Sequence, residues 1–349
     1  MANLETQIVD EIIVNTRRKM MTLGGAALAG MALTSAKPAA AQSTTIGDTD
    51  ILNFALNLEY LEANFYYLAA FGTTIDVANT FSTAAGAPVL PGTGTMTRGT
   101  VVSKTPITCK VAFASSTNAG YAIETAVEEG KHVKFLAGAL GSVAVAQPQI
   151  DLMGSFNTLY AAASGTAGAT FDPFTTDFPF LAGAYIFEDV GVSAYHGAAS
   201  LFSQGTTGKT YLQAAAGILA VEAYHAGLVR TAIQLQDTNG NYIALTQAVS
   251  ALRAKLSMAA GPSATAAAAA YDPYPDDYGL PLQSVSLNGT SGLGATRLTD
   301  ADSNYEVAFA RNTQQVLNIV TGGGAGTAAA PVSPAKGVFF PNGLNGLIK

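Results

Sequence analysis

The chain has three histidines, His132, His196 and His225, and two of them end a Glu-x-x-His: Glu129-Gly130-Lys131-His132 and Glu222-Ala223-Tyr224-His225. On a helix, a spacing of three sets carboxylate and imidazole on one face, one turn offset, so both can reach a common point. Two further carboxylates stand inside apolar runs: Glu59 or Glu62 in F-A-L-N-L-E-Y-L-E-A-N-F-Y-Y, and Glu188 in A-Y-I-F-E-D-V-G-V-S-A-Y-H. A lone charge in such a stripe is costly to bury, so each implies a partner. The chemistry this donor set suits is metal binding. Oxygen-rich ligation with one imidazole per ion fits Fe²⁺ or Mn²⁺, and zinc remains open because geometry rather than raw affinity selects the metal. Four carboxylates balance two divalent ions; without cations, four anions would crowd into low dielectric and hold protons instead.

These residues need four helices to position them. Apolar residues recur at three and four positions over 48–72, with Asp48 as N-cap and Gly72 as stop, and again over 118–140, with Ser116 or Thr117 near the cap and Gly141 beyond the end. Two more helices are expected over 178–202 and 210–236, joined so briefly that they must be antiparallel neighbours. Shorter helices are expected at 156–163, 244–259 and 302–320. Residues 73–116 change character: V-V-S-K-T-P-I-T-C-K-V-A-F alternates, which predicts an inserted β-hairpin or small β excursion. Past Gly261, Gly, Pro, Ser and Asp dominate, yet Val338-Phe339-Phe340 is too apolar to be simply solvated. The expectation is an all-α four-helix bundle over 42–260 carrying that insertion, with 261–349 wrapped on it as an extension.

The first and third bundle helices share a pattern. Tyr66 follows Glu59 by seven, and Tyr195 follows Glu188 by seven, near the same face in each case. The parallel favours Glu59 over Glu62 as the ligand and leaves Glu62 as a hydrogen-bonding neighbour. Tyr66 and Tyr195 are expected to hold carboxylates, to feed electrons, or to serve as core aromatics. His196 lies eight residues after Glu188, well round the helix, and is expected to pack or support rather than ligate. Asp189 is a poorer ligand candidate than Glu188. Glu124 and Glu128 are read as solvated.

One Glu from each of two helices and Glu-x-x-His from each of two others is the ligand set of carboxylate-bridged dinuclear iron or manganese sites in four-helix bundles. In that order the sequence resembles the ferritin-like superfamily. The phrases I-L-N-F-A-L-N-L-E-Y-L-E-A-N-F-Y, F-E-D-V-G-V-S-A-Y-H-G-A-A and A-A-G-I-L-A-V-E-A-Y-H-A-G look like its secreted bacterial branch, related to plant desiccation-related proteins. The resemblance covers about 48–240, with Q-V-L-N-I-V and F-F-P-N-G-L-N-G in the tail. It implies a dinuclear centre on Glu59, Glu129, His132, Glu188, Glu222 and His225, with redox chemistry on iron, oxygen or peroxide. A non-catalytic stress or surface protein using the bundle as scaffold is the rival, and a manganese-type catalase a third reading. An iron-storage cage is not expected, because the insertion and the tail would alter the surfaces a shell needs.

Composition narrows the remaining possibilities. Of 349 residues 49% are hydrophobic and 12% charged, which marks a globular chain, and 17 basic against 24 acidic residues leave a net charge of −7 with no basic footprint for nucleic acid. Cys109, the single cysteine, excludes a disulfide within the chain and any Cys-rich cluster, and predicts a buried free thiol. Arg17-Arg18 precedes an apolar stretch from Gly24 to Ala36, too short to span a bilayer, and Ala39-Ala40-Ala41 offers a cleavage site. Residues 1–41 are therefore expected to be a twin-arginine-type signal peptide, the mature chain periplasmic or extracellular and without a membrane span. The partners expected are metal ions, with dioxygen or peroxide at the centre; assembly with further copies of the chain stays open.

Overall fold

The computed structural model describes residues 46–76, 98–259, 276–287, 290–295, 297–303 and 305–349. The expected signal over 1–41 lies outside the described residues. Helix α1 spans Asp48–Phe71; its cap is Gly47, whose N–H donates to the Asp50 carboxylate at 2.9 Å, and Asp48 and Asp50 place negative charge on the first turn. It ends at Gly72, as expected. Helix α2 spans Ser116–Leu140, with the Ser115 hydroxyl accepting from the Asn118 N–H. Helix α3 (Gly154–Ser164) lies in the long connection to α4 (Asp177–Ala198), which runs on into a 3₁₀ turn at Ala199–Leu201. Helix α5 (Thr206–Gln236) and helix α6 (Asn241–Ala259) follow.

The bundle is two antiparallel hairpins, α1 along α2 and α4 along α5, and α1 also meets α4. Nineteen of 24 residues in α1 and 17 of 22 in α4 are buried, against 11 of 25 in α2 and 10 of 31 in α5, so α1 and α4 form the interior and the other two lie outside. By length and composition α5 is apolar enough to cross a membrane, but its two interior charges, Glu222 and Arg230, are buried within the protein. Asp177 ties the hairpins together at one end: its carboxylate accepts from the N–H groups of Ala114 and Ser115 and from the Asn118 amide, which also pairs with Gln236. Phe65 anchors the aromatic core, stacked on Phe180 and edge-on to Phe187. Cys109 is free and buried.

Within its described part the insertion makes a small β excursion: Val101–Val102 (β1) pairs in parallel with Ile150–Asp151 (β2), and Pro106–Cys109 forms a single helical turn. Proline at the start of that turn supplies a helical φ where no N–H donor is needed. Residues 77–97, where a hairpin tip would fall, lie outside the described residues.

The extension is less irregular than its composition suggests. Leu282–Leu287 (β3) and Thr290–Ala295 (β4) pair as an antiparallel hairpin, and α7 covers only Thr313–Thr321, capped by Asn312 and Gln315. The expected helix over 302–320 starts late because the Asp302 carboxylate accepts from the N–H groups of Tyr305 and Val307, closing a turn. Gly326–Thr327 (β5) pairs with Ala330–Pro331 (β6).

Residues from the extension are seated on the bundle at several places. Phe339 packs on Phe156 and Phe187, at 5.4 and 4.9 Å between ring centres. Asn345 exchanges hydrogen bonds with Asn57 in mid-α1, at 2.9 and 3.0 Å. Arg311, fully buried, donates to Asp276 and Asp277; Asp277 also binds Arg253 at 2.7 Å, and Arg253 binds Asp189 at 2.9 Å. Arg230 completes this buried network on Asp189, also at 2.9 Å.

Candidate metal centre

Each bundle helix sends one or two groups to the middle of the bundle. Glu59 of α1, Glu129 and His132 of α2, and Glu222 of α5 bring ligand atoms within 4.8 Å of one another. Glu129, Glu188 of α4, Glu222 and His225 form a second such set. The six residues named from the sequence therefore converge, and Glu129 and Glu222 belong to both sets. His132 Nδ1 lies 3.3 Å from Glu59, 3.5 Å from Glu129 and 3.7 Å from Glu222; His225 Nδ1 lies 3.0 Å from Glu129 and 3.5 Å from Glu188. The helical spacing that suggested the motif is what places each Glu-x-x-His pair on the inner face.

The cluster is poorly satisfied by protein alone. Glu59 Oε2, both oxygens of Glu129 and of Glu222, Glu188 Oε2, and the Nδ1 atoms of His132 and His225 are buried without a hydrogen-bond partner. Buried polar atoms are nearly always paired, and eight orphans facing one spot mark a place built for a ligand with many coordination positions. Carboxylates and imidazoles are donors for divalent cations, so the residues fit a pair of metal ions, with Glu129 and Glu222 able to reach both.

Electrostatics point the same way. Burial pushes Glu59 up to about 7 despite the opposing charge of His132. Glu222 is raised well above the carboxylate range by burial and by Glu129, Glu62 and Glu59. Burial also disfavours charge on Glu129, yet His132 and His225 outweigh it and hold that carboxyl well below its usual range. Burial resists charge on His132 too, but Glu59 and Glu129 overcome it and push the imidazole up to about 12; Glu188 and Glu129 raise His225 in the same way. Protons thus do the work of cations here.

The two tyrosines bind carboxylates crosswise. The Tyr66 hydroxyl donates to Glu188, and the Tyr195 hydroxyl to Glu59, so each ties its own helix to the ligand of the other. Glu62 is buried beside the cluster, raised well above its ordinary range by burial and by Glu129, Glu188 and Glu59, and stands outside both four-residue sets. His196 is elsewhere: its Nδ1 meets the carbonyls of Ala308 and Phe309, which joins α4 to the extension. Asp189 is taken by Arg230 and Arg253. Glu124 is exposed, as read.

Glu128 is the residue that sequence reasoning missed. It was assigned to solvent, and its side chain is 37% exposed, yet it accepts from His225 Nε2 at 2.7 Å. Only its position one residue before Glu129, a quarter-turn toward the neighbouring helix, hinted at this.

A family profile described as a ferritin-like domain matches residues 47–235. The desiccation-related protein PCC13-62 of Craterostigma plantagineum is 28% identical over 307 residues, covering 86% of this chain and 83% of its own. No solved structure matches significantly. Four helices with this ligand order, matched over more than half the chain, place it plainly: the chain belongs to the ferritin-like domain family.

Proposed function

We propose that this is an exported ferritin-like protein holding a dinuclear iron or manganese centre, which oxidises iron or consumes dioxygen or peroxide. The observation that carries this reading is the set of eight unpaired ligand atoms, drawn from six residues on four helices, in two overlapping groups. Glu59 and His132 would hold one ion, Glu188 and His225 the other, and Glu129 with Glu222 would reach both. When bound, such a pair of ions supplies redox chemistry toward oxygen species and Lewis acidity. The chain's own residues set the conditions for it. Tyr66 and Tyr195 orient the carboxylates of Glu188 and Glu59, Glu128 fixes His225 with Nδ1 turned inward, and the buried neighbour Glu62 is placed to keep or release a proton. Export rests on Arg17-Arg18 and the apolar run behind it. A twin-arginine route would carry the folded, metal-loaded protein outward.

The relative's name favours a second reading, in which the bundle is a scaffold acting during drying. Metal analysis of protein exported in its native host separates the two. About two ions per chain, lost in a Glu222→Ala plus His225→Ala variant, supports the centre; metal-free protein of unchanged stability supports the scaffold. Oxygen evolution from peroxide by manganese-loaded protein would select catalase chemistry.

A further inference from the structure

We propose that the two metal positions are unequal: the one built on Glu188 and His225 takes the first ion and holds it more tightly than the one built on Glu59 and His132. This rests on the dinuclear reading above. The inner ligands give no reason for a difference. Each position has one carboxylate of its own, one imidazole presenting Nδ1, and a share in Glu129 and Glu222; each unshared carboxylate is held by a tyrosine.

The difference lies where the internal repeat breaks. One residue before each Glu-x-x-His stands Glu128 in α2 and Val221 in α5. Glu128 accepts from His225 Nε2 at 2.7 Å, which fixes the tautomer, turns the Nδ1 lone pair toward the centre and makes the imidazole a stronger donor. His132 has no such carboxylate behind it among the described residues: the equivalent position is a hydrocarbon. The second break is three residues after each unshared carboxylate, where Glu62 in α1 answers to Gly191 in α4. Glu62 is buried beside the cluster and stands outside both four-residue sets, so it gives neither position a ligand of its own. At Gly191 a Cβ would crowd Glu222 Oε2, so any side chain there would require that carboxylate to shift. The break at Glu128 thus gives the His225 position a carboxylate that the His132 position lacks. The His132 side chain is also the more exposed of the two, 11% against 4%, which favours exchange there.

The test is a calorimetric titration of metal-stripped protein with Mn²⁺, paired with anomalous scattering from crystals loaded with one equivalent. Two steps separated by about 10- to 100-fold are expected, with the first ion beside His225. Glu128→Gln should shrink the gap to within about threefold by weakening the first step, while two ions still bind. Val221→Glu should shrink it from the other side, by strengthening the second. Equal affinities in the native chain, a first ion beside His132, or a gap unchanged in Glu128→Gln would overturn the inference and leave the dinuclear centre standing. Failure of the native chain to bind Mn²⁺, Fe²⁺ or Zn²⁺ at all would remove the centre itself, and this inference with it.

Discussion

The Tyr66 hydroxyl on α1 donates to the Glu188 carboxylate on α4, across the interior of the bundle. Tyr195 returns the bond to Glu59, so the two inner helices are cross-braced through the ligands themselves. Both tyrosines are almost fully buried, and burial with the adjacent carboxylates raises both hydroxyls well above the ordinary phenol range, which keeps them as donors.

Removing that donor should be felt twice. Tyr66→Phe is expected to cost about 1–3 kcal/mol of metal-free stability, because a buried carboxyl loses its partner. It should also weaken the ion beside His225 by about tenfold. Thermal unfolding and metal titration of the same variant check both effects, and Tyr195→Phe should act on the other ion.

The shared and unshared ligands should differ in stoichiometry. Glu129→Ala or Glu222→Ala removes a carboxylate from both four-residue sets and is expected to abolish uptake. Glu59→Ala or Glu188→Ala touches one set and should leave about one ion per chain. Elemental analysis after dialysis distinguishes two, one and none.

Metal-free protein should lose stability as pH rises from about 5 to 9. Glu59 sits at about 7 when folded against an ordinary 4.5, so its contribution is complete below the unfolded value and lost as pH climbs through about 7. Glu222 and the two imidazoles, also raised, act in the same direction; Glu129, held low, acts oppositely, and its contribution fades only in acid. Divalent ions replace those protons, so the rise in Tm on adding metal should grow with pH. A gain in Tm that shrinks between pH 5 and 9 would contradict the electrostatic account.

Much of this was legible in the sequence, and the boundary follows the physics. Spacing within a helix is fixed by its geometry, so both Glu-x-x-His faces, Glu59 and Glu188 could be located before any fold was known. Contacts between helices depend on packing, which spacing does not encode. That is why spacing gave no sign that Tyr66 binds Glu188 on the opposite helix, and why Glu128 was read as solvated. Alternation at Val101–Phe113 signalled extended chain but not its partner, which lies nearly 50 residues away at Ile150–Asp151.

The arginine network should be the most sensitive part of the structure away from the centre. Arg253→Ala leaves Asp189 and Asp277 buried with reduced compensation, and a loss of about 3–5 kcal/mol is expected. Chemical denaturation measures it. Because Asp189 adjoins Glu188 in sequence, metal binding in this variant should weaken as well.

Gly191→Ala tests the tight seating of Glu222 with no change of charge. The added methyl must displace the carboxylate or push α4 from α5. Metal content should fall while helical content stays the same, as circular dichroism would report.

The pairing of Asn57 with Asn345 joins groups 288 positions apart in the sequence. At synthesis rates of about 5–20 residues per second, the first helix waits roughly 15 to 60 seconds for its last partner. Through that interval the buried Asn57 amide lacks its partner in the tail. Maturation must therefore largely follow translation, and the nascent amino-terminal half is where a chaperone would be needed.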